Sequence, residues 1–171
     1  MRISRISVGF GLLLLIVTVA LAQKVTTDYK HGADFSKYKR FMWIKEPSTK
    51  DPLMKQRMIE AINAQLTAKG LQLATGNADL AVAAHVATHE KQTLNTFYEG
   101  FGGWAWGLDG TATTTVQTYE EGTMVVDLFD ANTQQIVWRG SATSEIPGST
   151  KKETKKVEKA IEKMFSNFPP K

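Results

Sequence analysis

The chain has 171 residues, 42% of them apolar and 22% charged, with no cysteine and a formal net charge of +4. That balance is the balance of an ordinary folded domain rather than a disordered segment. Lack of cysteine excludes disulfides, thiolate metal sites and lipidation at a cysteine, and so small a charge gives no argument for nucleic acid as a partner.

The N-terminus carries Arg2 and Arg5, then an apolar run from Val8 to Val19 broken only by Gly9, Gly11 and Thr18. Ala20-Leu21-Ala22 follows, with small residues where signal peptidase requires them. The expectation is a signal peptide over 1–22, cleaved between Ala22 and Gln23, and one domain over 23–171. The protein is then periplasmic or secreted and not lipid-anchored. A retained anchor is the alternative, although the run is shorter than the ~20 residues that span a bilayer. Loss of Arg2 and Arg5 would leave the mature domain at about +2.

Val25-Thr26-Thr27-Asp28-Tyr29 alternates like a strand, and Arg40-Phe41-Met42-Trp43-Ile44 is a second, aromatic and branched. Asp51 and Pro52 mark a helix start, with Asp51 as N-cap and Pro52 in the first turn. Met54, Met58, Ile62 and Leu66 form its buried stripe, and Gly70 ends it in the left-handed conformation. Asp79 to His89 is ambiguous: its alanines favour helix, but Leu80, Val82, Ala84 and Val86 alternate, and we read it as strand. A polar stretch over Glu90–Thr96 leads into an expected loop, Phe97–Gly110, rich in glycine and aromatics. Thr111–Tyr119 is threonine-rich and β-like. Thr123–Asp130 and Gln135–Ala142 read as an antiparallel hairpin. Thr150-Lys151-Lys152-Glu153 matches a capping box, and Val157, Ile161, Met164, Phe165 and Phe168 line one side of the helix that follows. Its lysines alternate with Glu153, Glu158 and Glu162, which makes a solvated face, with weak contact to anionic lipid or acidic glycan as the alternative. The order implies an α+β domain: a mostly antiparallel sheet with two helices packed on one face.

Candidate chemistry is sparse. His85 and His89 would share a metal on a helix, but on a strand they stand about 13 Å apart, so no metal site is expected. No Gly-x-Ser-x-Gly elbow is present. The glycines of 100–110 lack a phosphate-loop lysine and precede β-like sequence, so neither a nucleotide nor any other cofactor is expected. Convergence of two among Asp28, Asp79, Glu99, Asp109, Asp127 and Asp130 would make a carboxylate-pair hydrolase of cell wall or glycan, which spacing neither favours nor removes. Asp127 and Asp130 read as flanking a hairpin turn. Phe97, Tyr98, Phe101, Trp104 and Trp106 would form a stacking surface for sugar, peptide or lipid headgroups if exposed, or a cap on the core if folded back.

Taken together, these segments resemble a known family. The matching residues are Thr27-Asp28-Tyr29, Ala33-Asp34-Phe35-Ser36-Lys37-Tyr38-Lys39, Phe41-Met42-Trp43 and Leu66-Thr67-Ala68-Lys69-Gly70. They continue through Ala78-Asp79-Leu80-Ala81-Val82, His85-Val86, Gly122 to Leu128, Val137 to Ala142 and Phe168-Pro169-Pro170. In order and spacing they resemble the bacterial domain-of-unknown-function 4136 family. The resemblance implies an envelope location and an α+β fold, but no established activity and no catalytic residues. Many relatives carry a lipobox cysteine that this chain lacks. The expectation is a non-enzymatic accessory or binding domain, its partner an envelope protein or small ligand, with peripheral membrane contact open. The hydrolase and a protein-binding envelope scaffold are the alternatives. Nothing in the residues sets the oligomeric state.

Overall fold

The computed structural model describes residues 23–99 and 111–170. The expected signal peptide, 1–22, therefore lies outside the described residues. In chain order the elements are β1 (Lys24–Tyr29), a 3-10 turn (Phe35–Lys37), β2 (Arg40–Lys45), α1 (Pro52–Ala68) and β3 (Gln72–Leu73). They continue with β4 (Leu80–Glu99), β5 (Thr111–Asp130), β6 (Ile136–Glu145) and α2 (Thr150–Phe165). The strands form one sheet in the order β1-β6-β5-β4-β2-β3.

Helix α1 begins as its sequence dictates. The Asp51 carboxylate accepts from the N–H groups of Leu53 and Met54, and Pro52 occupies the first turn. Gly70, at φ +88°, ends it. Met54, Met58, Ile62 and Leu66 are buried against the sheet. This helix also explains why the sheet is mixed. It carries the chain from β2 across one face of the sheet, so β3 and β4 pair with β2 in parallel. The short strand β3 has no apolar alternation and escapes sequence reading.

Helix α2 departs from the expected capping box. Ser149 is the N-cap and makes no side-chain cap hydrogen bond, while the Glu153 N–H donates to the Ser149 carbonyl. The box fails because the helix starts one residue earlier than the pattern requires, with Thr150 already in its first turn. Ile161, Met164 and Phe165 are fully buried, and Phe165 stacks on Trp138 with centroids 4.7 Å apart. Phe168 closes the cluster edge-on at 5.4 Å from Trp138. Gly140 lets this packing happen: a Cβ there would lie 2.5 Å from both Met164 Sδ and Trp138 Cη2.

The face away from the helices is polar. Asp28, Arg139 and Asp127 stand in one cross-strand row, and Arg139 grips Asp127 with two hydrogen bonds, Nη2 to Oδ2 at 2.9 Å. Asp127 thus lies within the strand and does not flank the turn as expected, because its neighbour across the sheet is a guanidinium. Asp130 does sit at the turn. Its carboxylate accepts from Lys37 Nζ (2.8 Å), the Tyr38 hydroxyl (2.9 Å) and the N–H groups of Asn132 and Thr133 (3.0 Å each). Asp79 accepts from the N–H groups of Lys39 and Arg40, both at 2.8 Å. Together these two aspartates fasten the start of β2 to the β4–β5–β6 end of the sheet.

The Lys37 ammonium, with the Thr133 N–H next, holds the Asp130 carboxyl far below its ordinary value of 3.8. A depressed carboxylate contributes stability that is complete above the unfolded value and lost as pH falls toward the folded one. Asp130→Ala is therefore expected to cost about 3 kcal/mol at pH 7, since it strands a buried hydroxyl and two N–H groups. The deficit should shrink as pH drops below 4; urea melts at both pH values check this. Gly140→Ala should cost about 2 kcal/mol by overpacking, at every pH.

Candidate functional site

The β4–β5 hairpin outruns the rest of the sheet. The last pairing with β6 is Glu121–Glu145, after which the Ile146 N–H donates to the Glu120 carbonyl at 2.8 Å and the chain turns toward α2. Beyond that point ten residue pairs, Glu90–Glu120 through Glu99–Thr111, form a two-stranded ribbon. At roughly 3.4 Å per residue it is about 34 Å long. Among the described residues it has no third strand on either side.

This ribbon corrects the expected organisation. Glu90–Thr96 is strand, the strand continues through Glu99, and Thr111–Tyr119 runs unbroken into Thr123–Asp130. A solvated hairpin needs no apolar face, so its polar sequence imitates a loop. Phe97 and Tyr98 are strand residues in register with Thr113 and Ala112. Phe101, Trp104 and Trp106 lie outside the described residues, in the segment 100–110 that joins the two strands.

The root of the ribbon is tied on the polar face. The Glu121 carboxylate accepts from Lys91 Nζ at 2.7 Å and lies 3.0 Å from His89 Nε2. Lys91, and then His89, lower the Glu121 carboxyl, and Glu121 raises the Lys91 ammonium. Solvent screens these surface pairs, so they fix geometry more than they add stability. Sequence reading missed this group, because only the register of the long hairpin brings 89, 91 and 121 together.

Where β6 stops, an open notch of about 810 Å³ lies beside β5, with Lys24, Thr118, Tyr119, Glu145 and Lys156 on its walls. Lys156 Nζ donates to the Glu145 carbonyl at 2.7 Å, and Gln23, the residue after the expected cleavage at Ala20-Leu21-Ala22, donates to the Lys156 carbonyl at 2.7 Å. Ala20 and Ala22 themselves are outside the described residues. Nearby, Val86, Met124, Ile146 and Val157 line an apolar cleft of about 90 Å³ that also takes in Glu145 and Glu153. The cleft is smaller than the ~300–1,000 Å³ typical of ligand pockets. Burial, then the nearby Asp51 and Glu120, raises the Glu153 carboxyl.

His85 and His89 lie on one strand, opposite Val125 and Glu121, and do not share a site. Among the described residues, the carboxylates proposed from sequence do not converge on a cleft. Asp28 and Asp127 flank Arg139, whereas Asp79 and Asp130 cap backbone N–H groups. The side chain of Glu99 and all of Asp109 lie outside the described residues.

A family model described as "Domain of unknown function (DUF4136)" matches residues 25–170. No curated protein matches. Among solved structures, a DUF4136 family protein from Bacteroides thetaiotaomicron superposes with a TM-score of 0.57 at 14% identity, covering 86% of this chain and 96% of that one. PelC from Paraburkholderia phytofirmans, a dodecamer, superposes with a TM-score of 0.52 at 16% identity, covering 85% and 95%. A PDZ domain protein from Parabacteroides distasonis gives 0.56 at 15% identity over 87% of this chain, which spans only 36% of that protein. At these identities the likeness is one of fold.

Glu153 supplies a test of the cleft. Its folded value lies above the ordinary 4.5, so the stability linked to it is complete below that value and is lost as pH rises through the folded one. Glu153→Gln should raise the melting midpoint at pH 7 and leave it unchanged near pH 3.5. Calorimetry at the two pH values checks this; a lower midpoint at pH 7 would contradict it.

Proposed function

The chain belongs to the DUF4136 family, and from that premise we propose that it is an exported envelope domain that acts by binding a protein through its β4–β5 ribbon rather than by catalysis. The observation that carries this reading is the ribbon itself. Ten residue pairs extend past the helix-covered sheet with both edges unpaired among the described residues. Among the described residues the buried core on β4 and β5 ends at Ala84 and Met124, with Val86 packed at its rim. Exposed strand edges bind extended segments through backbone hydrogen bonds. The aromatic residues Phe97, Tyr98, Phe101, Trp104 and Trp106 are carried on or between the ends of its strands, where they would add stacking contacts to the partner. Export rests on the basic, then apolar, then small-residue order of residues 1–22.

A photo-crosslinking residue at Gln117 should give a partner adduct in cells, whereas one at Gln56 on α1 should not. Trp104→Ala with Trp106→Ala should abolish the Gln117 adduct while moving the melting midpoint by less than about 2 °C. Equal crosslinking from both positions, or a large fall in melting temperature for the double variant, would overturn the reading. Sequencing of the mature N-terminus should begin at Gln23; a retained Met1 would contradict export by cleavage.

A further inference from the structure

The two edges of the ribbon differ. Over the ribbon the β4 edge carries Glu90, Lys91 and Glu99, and charges of this kind guard a strand against pairing. Over the nine residues Thr111–Tyr119 the β5 edge reads Thr-Ala-Thr-Thr-Thr-Val-Gln-Thr-Tyr, without charge, proline or glycine. At the far sides of the sheet, β1 carries Lys24 and Asp28 and β3 has only two residues. The β5 edge is therefore the one left without a protective device.

Its hydrogen-bonding groups can be assigned. The Glu120 carbonyl accepts from Ile146 N–H on the β6 side, so Glu120 faces outward from β4. Backbone direction alternates along a strand, so Thr118, Val116, Thr114 and Ala112 also point their N–H and C=O groups to the free side. Val116 is 53% exposed there. Ile146 blocks the edge above Tyr119, and the notch bounded by Lys24 and Lys156 begins at that point.

We propose that the Thr111–Tyr119 edge pairs with the same edge of a second copy of this chain, antiparallel and centred on Thr115. This rests on reading the ribbon as the contact element, and it names the partner. A two-fold about Thr115 is the register that uses all nine residues, placing 111 opposite 119 and 114 opposite 116. The outward groups of Ala112, Thr114, Val116 and Thr118 then satisfy one another. No charged residue meets a like charge, because Glu120 and Glu121 fall outside the paired stretch. The added β5 continues the line of β6, and the added β4 continues the line of β1.

Thr115 sits on the axis as a non-hydrogen-bonded pair, where Cα atoms approach to about 4.5 Å, within the range a disulfide bridges. The chain has no other cysteine, so the test is clean. Thr115→Cys in the purified chain should form a covalent dimer under mild oxidation, and Thr113→Cys, which faces 117 of the other copy, should not. Sedimentation of the unmodified chain should show a dimer that Val116→Pro abolishes, with the circular dichroism of the body unchanged. A monomer at every concentration, or equal crosslinking of both cysteine variants, overturns the proposal. If the chain is monomeric yet Gln117 still captures a different protein, self-pairing fails while the ribbon stands as the binding element.

Discussion

Helices α1 and α2 have 17 and 16 residues, roughly 25 Å of length each, and strands β4 and β5 have 20 residues, roughly 65 Å. Two such helices can cover less than half of the hairpin they pack against. On the covered half Val82, Ala84 and Val86 pair with Leu128, Val126 and Met124 at the core. Past Val86 and Gly122 the same alternation turns mostly to threonine, glutamate and glutamine, with Leu94 opposite Val116 and Tyr98 opposite Ala112 as the exceptions. The length mismatch is written into the residues: the continuous apolar alternation ends near where the helices end. The body is held by burial on one side of that line, and on the other the two strands of the ribbon are held in register by backbone pairing.

The body closes at its far end through charge. Asp79 and Asp130 collect backbone N–H groups, a tyrosine hydroxyl and one lysine, so the loop before β2 and the β5–β6 turn become one unit. Trp138, Phe165 and Phe168 fill the layer between sheet and α2, and Gly140 gives Met164 the room it needs. None of these groups faces the notch or the ribbon. Stability and contact are thus assigned to different parts of one hairpin.

Much of the body is legible in the sequence, because its signals are local. Asp51-Pro52, the Met54–Leu66 stripe, Gly70 and the alternation from Leu80 each report an element without help from distant residues. The capping box at Thr150 misleads by one residue, since Ser149 and Thr150 are equally good candidates and tertiary packing chooses between them. The parallel pairing of β2 with β4 is hidden because a helix crossover and an antiparallel turn look alike until the strands are ordered in space. The ribbon is hidden for a different reason. Strand formation there rests on pairing between residues 12 to 30 apart, and the sequence lacks a sustained apolar alternation to announce it. Threonine and valine enrichment over 111–118 was the available signal. It marked β5 but not how far β4 extends to meet it.

The central claim is that the ribbon serves contact and not folding. Replacing residues 92–118 with an Asn-Gly turn between Lys91 and Tyr119, which already face each other in the hairpin, tests it. The shortened protein should melt within about 3 °C of the parent and sediment as a monomer. A shortened protein that fails to fold cooperatively, or that still assembles, would contradict the account.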